Sequence, residues 1–269
     1  MTCFHSRPAW ASTLENAKGR HAINFQFRTD RNPDYFIDCG KCEGCRARQR
    51  QDWAIRMAHE SKSWDRNCFV TLTYDEEHCP EKINKHDIQV FIKRLRHKSS
   101  RPIRYYAVGE YGEKTHRPHY HAIIFNEDFL GGSYKISEQL YGNKWLDSIW
   151  KQGTCTVSEF TFATALYVAG YTAKKIHDQD TFSLSSNRPP LGREWVKQHY
   201  DNIQRNKNVV INGQELPIPK TYMNWLRGDE AFNEIKRDLA EKVIPLNDQK
   251  LRNMRLNHNV KQNLKEHKI

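Results

Sequence analysis

Two histidines separated by one residue, His119 and His121, lie in an apolar segment whose composition is typical of a β-strand. Side chains alternate between the two faces of a strand, so this spacing directs both imidazoles to the same face. Imidazole is a common ligand of divalent metals. The pair therefore predicts a metal site, although two metal-free histidines on an exposed edge strand would have the same spacing.

A third ligand is expected from the strand that precedes the histidines. Residues 103–111 and 117–125 are predicted to form an antiparallel hairpin. If their faces coincide, Glu110 lies beside the histidines; Glu113 and His116 in the connecting loop are competitors, and the alternation favours Glu110. Two imidazoles and a carboxylate suit Mn²⁺ or Mg²⁺ with open positions for a phosphate oxygen. Such an ion would polarise a scissile phosphate.

Two tyrosines at helical spacing, Tyr167 and Tyr171, follow further along the chain. On a helix predicted for residues 160–176 they project from one face, one turn apart. A phenol is a weak nucleophile at neutral pH unless a cation stabilises its anion. Lys174 lies on the same stripe and Lys175 further round the helix. A pair of half-buried core aromatics would have the same spacing, so the chemistry of these tyrosines is a hypothesis.

Three cysteines, Cys39, Cys42 and Cys45, are crowded into one short segment. Tetrahedral zinc needs a fourth ligand, which Cys3 or His5 could supply. Unliganded thiols and an iron–sulfur cluster are the other interpretations. The chain has seven cysteines, an odd number, and their crowding is typical of metal binding in a reducing compartment rather than of disulfides.

Composition favours a polyanionic partner. The chain has 269 residues, a net charge of +11 and an isoelectric point of about 9.3. Lys and Arg release counterions when they neutralise phosphates, so nucleic acid is the first candidate. No apolar stretch is long enough to span a bilayer, and the N-terminus lacks the features of a signal peptide. We therefore expect a cytoplasmic protein without a membrane partner.

The order of elements predicts an α+β fold, a central antiparallel β-sheet with flanking helices. We expect an N-terminal Cys-rich segment and helix over residues 1–66, a catalytic domain over 67–180, and a C-terminal extension with a basic tail over 181–269. Residues 1–38 show no clear period. The predicted elements are a helix over 46–63, a strand over 68–74, a helix capped by Asn84, strands over 103–111 and 117–125, a helix over 138–151, a strand over 154–158, a helix over 160–176, a helix over 194–203 and a hairpin over 209–219.

Three ordered segments resemble the motifs of the HUH endonuclease superfamily. They are Phe69-Val-Thr-Leu-Thr-Tyr-Asp, the His119-Tyr-His121 strand, and Tyr167-Val-Ala-Gly-Tyr-Thr-Ala-Lys-Lys. The two-tyrosine motif is similar to that of replication initiation proteins of microviruses. The cysteine segment and Arg188-Pro-Pro-Leu-Gly192 resemble elements of their gokushovirus branch.

The resemblance implies a rolling-circle replication initiator, a metal-dependent, site-specific single-strand DNA endonuclease and strand transferase. It would nick the plus strand of viral origin DNA through a 5′-phosphotyrosine and circularise the displaced strand. It implies an RRM-like sheet with the HUH strand in the middle and the tyrosine helix lying across it. His119 and His121 match the metal ligands, Tyr167 and Tyr171 the nucleophiles, and Lys174 the family lysine.

The implied partners are single-stranded and origin double-stranded viral DNA, with a host helicase and polymerase, in the cytoplasm of an infected bacterium. Three other functions are compatible with parts of the sequence. An HUH transposase or relaxase would share the metal site. A non-catalytic nucleic-acid-binding protein would use a zinc knuckle and stack the tyrosines on bases. A metallohydrolase barrel ranks last, because its additional ligands and eight βα units are not found.

Overall fold

A computed structural model of the chain divides into two compact units, residues 1–48 with 238–269 and residues 49–237. The predicted domain boundaries at residues 66 and 180 stay a prediction. The structure describes residues 3–15, 21–26, 30, 32–112, 115–174, 181–226, 230, 234, 235 and 256.

The first unit contains a three-stranded antiparallel sheet. Its strands are β1 (Arg7–Glu15), β2 (His21–Asn24) and β3 (Tyr35–Ile37), in the order β2-β1-β3. The sequence analysis found no strand period here. The reason is visible in β3, where the adjacent Tyr35 and Phe36 are both exposed, so the inward and outward alternation that identifies a strand is missing.

Helix α1 (Glu43–Ser61) follows the cysteine segment and includes the boundary between the units. It confirms the helix predicted over 46–63. Ala54, Ile55, Met57 and Ala58 are buried, as expected of a helix whose apolar residues recur along one side.

The second unit is built around a seven-stranded antiparallel sheet. Its strands are β4 (Asn67–Tyr74), β5 (Arg104–Tyr111), β6 (Pro118–Phe125), β7 (Ser133–Ser137), β8 (Leu140–Asn143), β9 (Gly153–Glu159) and β10 (Phe182–Ser185). A separate hairpin consists of β11 (Val209–Ile211) and β12 (Gln214–Leu216). The helices after α1 are α2 (Lys85–Lys98), α3 (Lys144–Trp150), α4 (Phe162–Lys174), α5 (Arg193–Gln198), α6 (Tyr200–Asn206) and α7 (Lys220–Trp225).

The strand order of the large sheet is β10-β5-β6-β4-β9-β8-β7. The histidine strand β6 therefore lies inside the sheet, between β5 and β4, and not at an edge. This confirms the predicted α+β fold with a central antiparallel sheet. It also removes the interpretation of His119 and His121 as residues of an exposed edge strand.

Hydrophobic clusters cover both faces of the sheet. On β6, Ala122 and Ile124 belong to the cluster that includes α2 and α3, whereas Ile123 and Phe125 belong to the cluster that includes α1 and α4. Because side chains alternate along a strand, the histidines project to the same side as Ile123 and Phe125. The α1 and α4 side is therefore the side on which a site can form.

Helix α2 begins where the sequence predicted. The Asn84 side chain accepts a hydrogen bond of 3.0 Å from the backbone N–H of Asp87, an N-cap contact. Four apolar residues at helical spacing are buried against the sheet. They are Ile88, Phe91, Ile92 and Leu95.

The structure differs from the predicted elements in two places. The helix predicted over 138–151 is confined to α3, because the preceding residues form the β7–β8 hairpin and Asn143 caps the helix by accepting from the N–H of Leu146. No element was predicted between the helix over 160–176 and the helix over 194–203, but Phe182–Ser185 form β10, which pairs with β5. Phe182 and Leu184 alternate with serines, a signal that was present in the sequence.

The region after residue 190 is mostly as predicted. The helix expected over 194–203 is interrupted at His199, which separates α5 from α6. The β11–β12 hairpin is confirmed, and its turn residues Asn212 and Gly213 have φ values of 50° and 77°, as a type I′ turn requires. The basic tail, apart from Leu256, lies outside the described residues. Across the described part of the chain, none of the helices combines the length and apolarity that crossing a bilayer demands.

Candidate active site and a second candidate metal centre

The pairing of β5 with β6 brings Glu110 to the histidines. Glu110 is directly opposite His119, and Val108 is opposite His121. Residues directly opposite in an antiparallel pair share a face. The Glu110 Oε1 atom lies 3.0 Å from His119 Nε2 and 2.9 Å from His121 Nε2. The three side chains thus form one cluster whose ligand atoms are all within 4.8 Å of one another.

The second nitrogen of each imidazole is held by a neighbouring group. His119 Nδ1 lies 3.2 Å from the carbonyl oxygen of Arg117, to which it donates. His121 Nδ1 lies 3.0 Å from Thr71 Oγ1 on β4. Hydrogen bonds of this kind orient metal-ligating histidines and raise their basicity. Both rings consequently present Nε2 to Glu110.

The His121 Nε2 atom is buried and, among the described residues, has no hydrogen-bond partner. Its 2.9 Å approach to Glu110 Oε1 does not have the direction of a hydrogen bond. A buried nitrogen without a partner is destabilising and calls for an explanation. A cation bound between Nε2 and the carboxylate would satisfy both atoms, so the residues fit a divalent metal.

The pKa shifts favour the charged form of Glu110 and the neutral form of His121, which are the forms that bind a cation, but they favour protonation of His119. Burial raises the pKa of Glu110, but the adjacent imidazoles of His119 and His121 outweigh it and lower the pKa to about 2. Burial lowers the pKa of His121, which favours the neutral ring. Burial opposes protonation of His119 as well, but its hydrogen bond to Glu110 raises its pKa. Glu110 is a carboxylate at neutral pH, with an imidazole on either side.

The two tyrosines of α4 lie next to His121. Its ring centroid is 5.4 Å from that of Tyr167 and 5.6 Å from that of Tyr171, on which it stacks. The Tyr171 hydroxyl donates to the Tyr167 hydroxyl over 2.5 Å. Tyr167 is 46% exposed, whereas Tyr171 is half-buried. A cleft of about 470 Å³ opens here, lined by Glu110, Tyr111, Gly112, Thr115, His119, Tyr167 and Tyr171.

The environments of the two phenols differ. Burial raises the pKa of Tyr171, and the hydrogen bond that it donates to Tyr167 raises it further, because the donor keeps its proton. Tyr167 is thus the more exposed of the two phenols, and its hydroxyl accepts a hydrogen bond from Tyr171.

Other sequence-predicted residues are placed as follows. Lys174 is the last residue of α4, and its side chain, like the whole of Lys175, lies outside the described residues. Glu113 is also outside them. His116 is exposed in the hairpin loop and is not part of the cluster around Glu110.

Thr71 is a site residue that the sequence analysis did not single out. It is directly opposite His121 in the β4–β6 pairing. The neighbouring Val70 and Leu72 are buried on the other face, so the alternation of the predicted strand already placed Thr71 on the histidine side.

Glu60 on α1 was also missed. It is buried, and its carboxylate accepts from Arg104 Nε at 2.5 Å, from Trp64 Nε1 at 3.1 Å and from the backbone N–H of Gly192 at 2.8 Å. These bonds join α1 to β5 and to the start of α5. No spacing rule reveals the contacts with Arg104 and Gly192, because both residues are far from Glu60 in the chain.

The four predicted cysteines also come together, within the first unit. The sulfurs of Cys3, Cys39, Cys42 and Cys45 all lie within 4.8 Å of one another, and that of Cys3 is 3.8 Å from that of Cys42. His5 is not in the group; it donates its backbone N–H to Cys3 Sγ over 3.4 Å. Of the two candidates for the fourth ligand, Cys3 is the one that is in position.

Comparisons with known proteins give one consistent result. The family model for replication-associated proteins of the ORF2 type matches residues 67–176, which include both the histidine strand and the tyrosine helix. Replication-associated protein VP4 of Bdellovibrio phage phiMH2K is 37% identical over 230 residues, covering 78% of this chain and 73% of its own. No solved structure matches.

Two further relatives carry similar names. Replication-associated protein ORF2 of Spiroplasma virus 4 is 30% identical, with 86% of this chain and 84% of its own covered. Replication-associated protein ORF4 of Chlamydia phage 1 is 32% identical, with 71% of this chain and 53% of its own covered.

Proposed function

We propose, since this chain belongs to the microvirus-type family of phage replication-associated proteins, that it initiates rolling-circle replication by nicking the plus strand of viral origin DNA. The observation that carries the proposal is the cleft lined by Glu110, His119, Tyr167 and Tyr171, with the His121 ring packed against both tyrosines. Ligands for a divalent cation and two nucleophiles within one open site are the parts that phosphodiester transesterification needs.

Glu110, His119 and His121 would hold Mn²⁺ or Mg²⁺. Three protein ligands leave coordination positions for oxygens of the substrate. When bound, the ion would polarise the scissile phosphate and stabilise the charge that develops on the leaving oxygen. The register of β5 and β6 and the hydrogen bonds at the two Nδ1 atoms keep the ligands in place.

Tyr167 is the first nucleophile in this proposal. Its side chain is 46% exposed and lines the cleft, and its hydroxyl accepts a hydrogen bond from Tyr171. The phenolate oxygen attacks phosphorus, the bond from phosphorus to the 3′-oxygen breaks, and that oxygen takes up a proton. The products are a 5′-phosphotyrosine and a free 3′-hydroxyl. Lys174, the last residue of α4, stays our candidate for the cation that assists the phenolate.

Rejoining reverses the same exchange. A 3′-hydroxyl attacks the phosphotyrosine and releases the tyrosine, so the displaced strand is circularised without ATP. Tyr171 makes a second cleavage while Tyr167 still carries DNA. Single-stranded and origin duplex DNA are the proposed substrates, consistent with the net charge of +11. A host helicase and polymerase, in the cytoplasm of the infected bacterium, would complete the process.

The test is a covalent adduct. Oligonucleotides that tile the viral plus strand are incubated with the protein and Mn²⁺, and the products are separated on a denaturing gel. Wild type is compared with Tyr167→Phe, Tyr171→Phe and the double variant; Tyr134→Phe, an exposed tyrosine of β7, is the matched control.

We expect a metal-dependent adduct that disappears only in the double variant and is unchanged in the control. In the first turnover, Tyr167→Phe should be slower than Tyr171→Phe by about tenfold, equivalent to about 1.4 kcal/mol in the barrier. If no oligonucleotide forms an adduct while DNA still binds in EDTA, the chain is a binding protein and the nuclease proposal fails.

A further inference from the structure

We infer that the cysteine cluster of the first unit, Cys3, Cys39, Cys42 and Cys45, is a closed structural zinc site. Its ligands are one cysteine near the N-terminus, two in the loop after β3, and one in the first turn of α1. The site is separate from the one proposed for catalysis. It stands on its own evidence, independent of the nuclease proposal.

The spacing of the sulfurs fits a single ion. Four thiolates at about 2.3 Å from zinc in tetrahedral geometry lie about 3.8 Å from one another. The Cys3 and Cys42 sulfurs are 3.8 Å apart, and all four are within 4.8 Å. A disulfide requires about 2.05 Å, and all four cysteines are free. An iron–sulfur cluster would need room for several irons and sulfides between the thiolates.

Backbone N–H groups are directed at the sulfurs, an observation independent of their spacing. Cys3 Sγ accepts from the N–H of Cys39 over 3.3 Å, and Cys42 Sγ accepts from that of Phe4 over 3.3 Å. Cys39 Sγ accepts from the N–H groups of Lys41 and Cys42 over 3.5 and 3.3 Å. A neutral thiol is a weak acceptor, whereas a thiolate is the form that binds metal. The loop is therefore shaped around negatively charged sulfur.

Positive charge is also present. The Arg48 guanidinium lies 3.7 Å from Cys45 Sγ and is held there by a 2.6 Å ion pair with Asp38. Four thiolates around one Zn²⁺ have a net charge of −2, so a fixed cation beside them is stabilising. Arg48 supplies that charge from the next turn of α1.

Within the described part of the first unit, few buried apolar side chains hold the chain together. Among its described residues, the buried apolar side chains are Cys3, Ala9, Trp10 and Cys45. Two of these four belong to the cluster. Small units with so few buried side chains generally depend on a metal or on disulfides. A zinc ion would join the N-terminal segment to the start of α1.

The metal content of the full-length protein tests the inference. We would start from a His119→Ala/His121→Ala chain, so that the other candidate site cannot bind zinc. In this background Cys3→Ser is compared with His5→Ala, which removes the rejected ligand, and with Cys79→Ser, a half-buried cysteine outside the cluster. Zinc and iron are measured after gel filtration by mass spectrometry of the elements.

We expect close to one zinc per chain in the parent, in His5→Ala and in Cys79→Ser, and at least a tenfold loss after a chelator challenge in Cys3→Ser. Replacement by Co²⁺ should give an absorption band from thiolate-to-cobalt charge transfer. Because Cys3→Ser can also unfold the unit, alkylation of the unmutated chain is a second measurement. Zinc should protect Cys3, Cys39, Cys42 and Cys45 but leave Cys79 reactive.

Three results would overturn the inference. The first is iron in place of zinc. The second is a disulfide between any two of the four cysteines in a non-reduced peptide map. The third is a parent chain without zinc, or zinc that Cys3→Ser retains as well as the parent does while His5→Ala loses it.

Discussion

The candidate catalytic cluster and the cysteine cluster both gather side chains of the kinds that bind metals, but the fold brings these side chains together by different means. Glu110, His119 and His121 lie on two adjacent strands inside a seven-stranded sheet, and strand register brings them together. The four cysteines come from a chain terminus, a loop and the first turn of a helix, and short contacts with backbone N–H groups surround them. The sheet holds three side chains and leaves one side of a bound ion open to the cleft. The loop brings a fourth side chain, so an ion bound there would be enclosed by protein ligands. Openness suits a substrate, and closure suits a structural ion.

The largest expected effect comes from removing the ligands that the sheet holds. His119→Ala/His121→Ala should reduce covalent adduct formation on the order of 1000-fold, because the ion supplies several kcal/mol of charge stabilisation. The sheet should survive, since its register depends on backbone bonds and buried apolar residues. The rate of adduct formation checks the expected loss of activity, and urea unfolding of the same preparations checks the expected stability of the sheet. A large loss of stability alongside the loss of activity would contradict the claim that register, rather than metal, holds this site.

Metal removal should separate the two clusters. A short treatment with EDTA is expected to slow adduct formation by at least about 100-fold, because an open site with three protein ligands exchanges its ion readily. Added Mn²⁺ should restore it. Zinc content, measured on the same sample, should remain near its starting value because the cysteine site is closed. If zinc were lost as fast as activity, the two clusters would not differ in how readily they release a metal ion.

A smaller effect is expected from Thr71, which fixes the His121 ring. Thr71→Val keeps the shape of the side chain and removes the hydroxyl that lies 3.0 Å from His121 Nδ1. The Mn²⁺ concentration for half-maximal adduct formation should rise about tenfold, as for other bonds to metal-ligating histidines. Thr73→Val, two residues along the same strand and opposite His119, is the matched control. An equal shift in both variants would assign the effect to the strand rather than to the hydroxyl.

An effect on stability rather than on activity is expected from His59, a buried imidazole that belongs to neither cluster. His59 bonds to the Tyr222 hydroxyl and stacks on Trp195. Burial, with the nearby His199 and Lys62, lowers its pKa to about 3. The unfolded chain therefore binds a proton below about pH 6.5 that the folded chain does not. Its contribution to stability should fall by about 1.4 kcal/mol for each pH unit between about pH 6.5 and pH 3.

Urea unfolding between pH 7 and pH 4 measures this dependence. The matched variant is His59→Gln, which can still bond to Tyr222 and does not titrate. Its stability should fall less steeply with acid than that of the wild type. Equal slopes would show that His59 is already protonated in the folded chain, or that it opens to solvent.

The sequence located the catalytic cluster better than it located several of the elements around it. Glu110, His119 and His121 could be placed because strand alternation and a short hairpin are local properties. The same alternation could have placed Thr71 on the histidine side of the sheet, although the sequence analysis did not single it out. Strand β3 was missed because Tyr35 and Phe36 are both exposed. Strand β10 has the alternation of a strand, but over only four residues, and its partner strand lies more than 70 residues earlier. Glu60 was missed because its contacts depend on packing, which no local pattern encodes.

The contact between the two phenols has a further consequence for the order of events. Two oxygens 2.5 Å apart cannot both carry negative charge, so ionisation at Tyr167 keeps Tyr171 neutral. Ionisation of one phenol therefore opposes ionisation of the other. In the proposed reaction, the Tyr167 oxygen becomes a much poorer acceptor once it is esterified to DNA, so one of the contacts that raise the pKa of Tyr171 weakens, whereas burial and Glu110 continue to raise it. The contact between the phenols would therefore favour ionisation of the second nucleophile only after the first has been used.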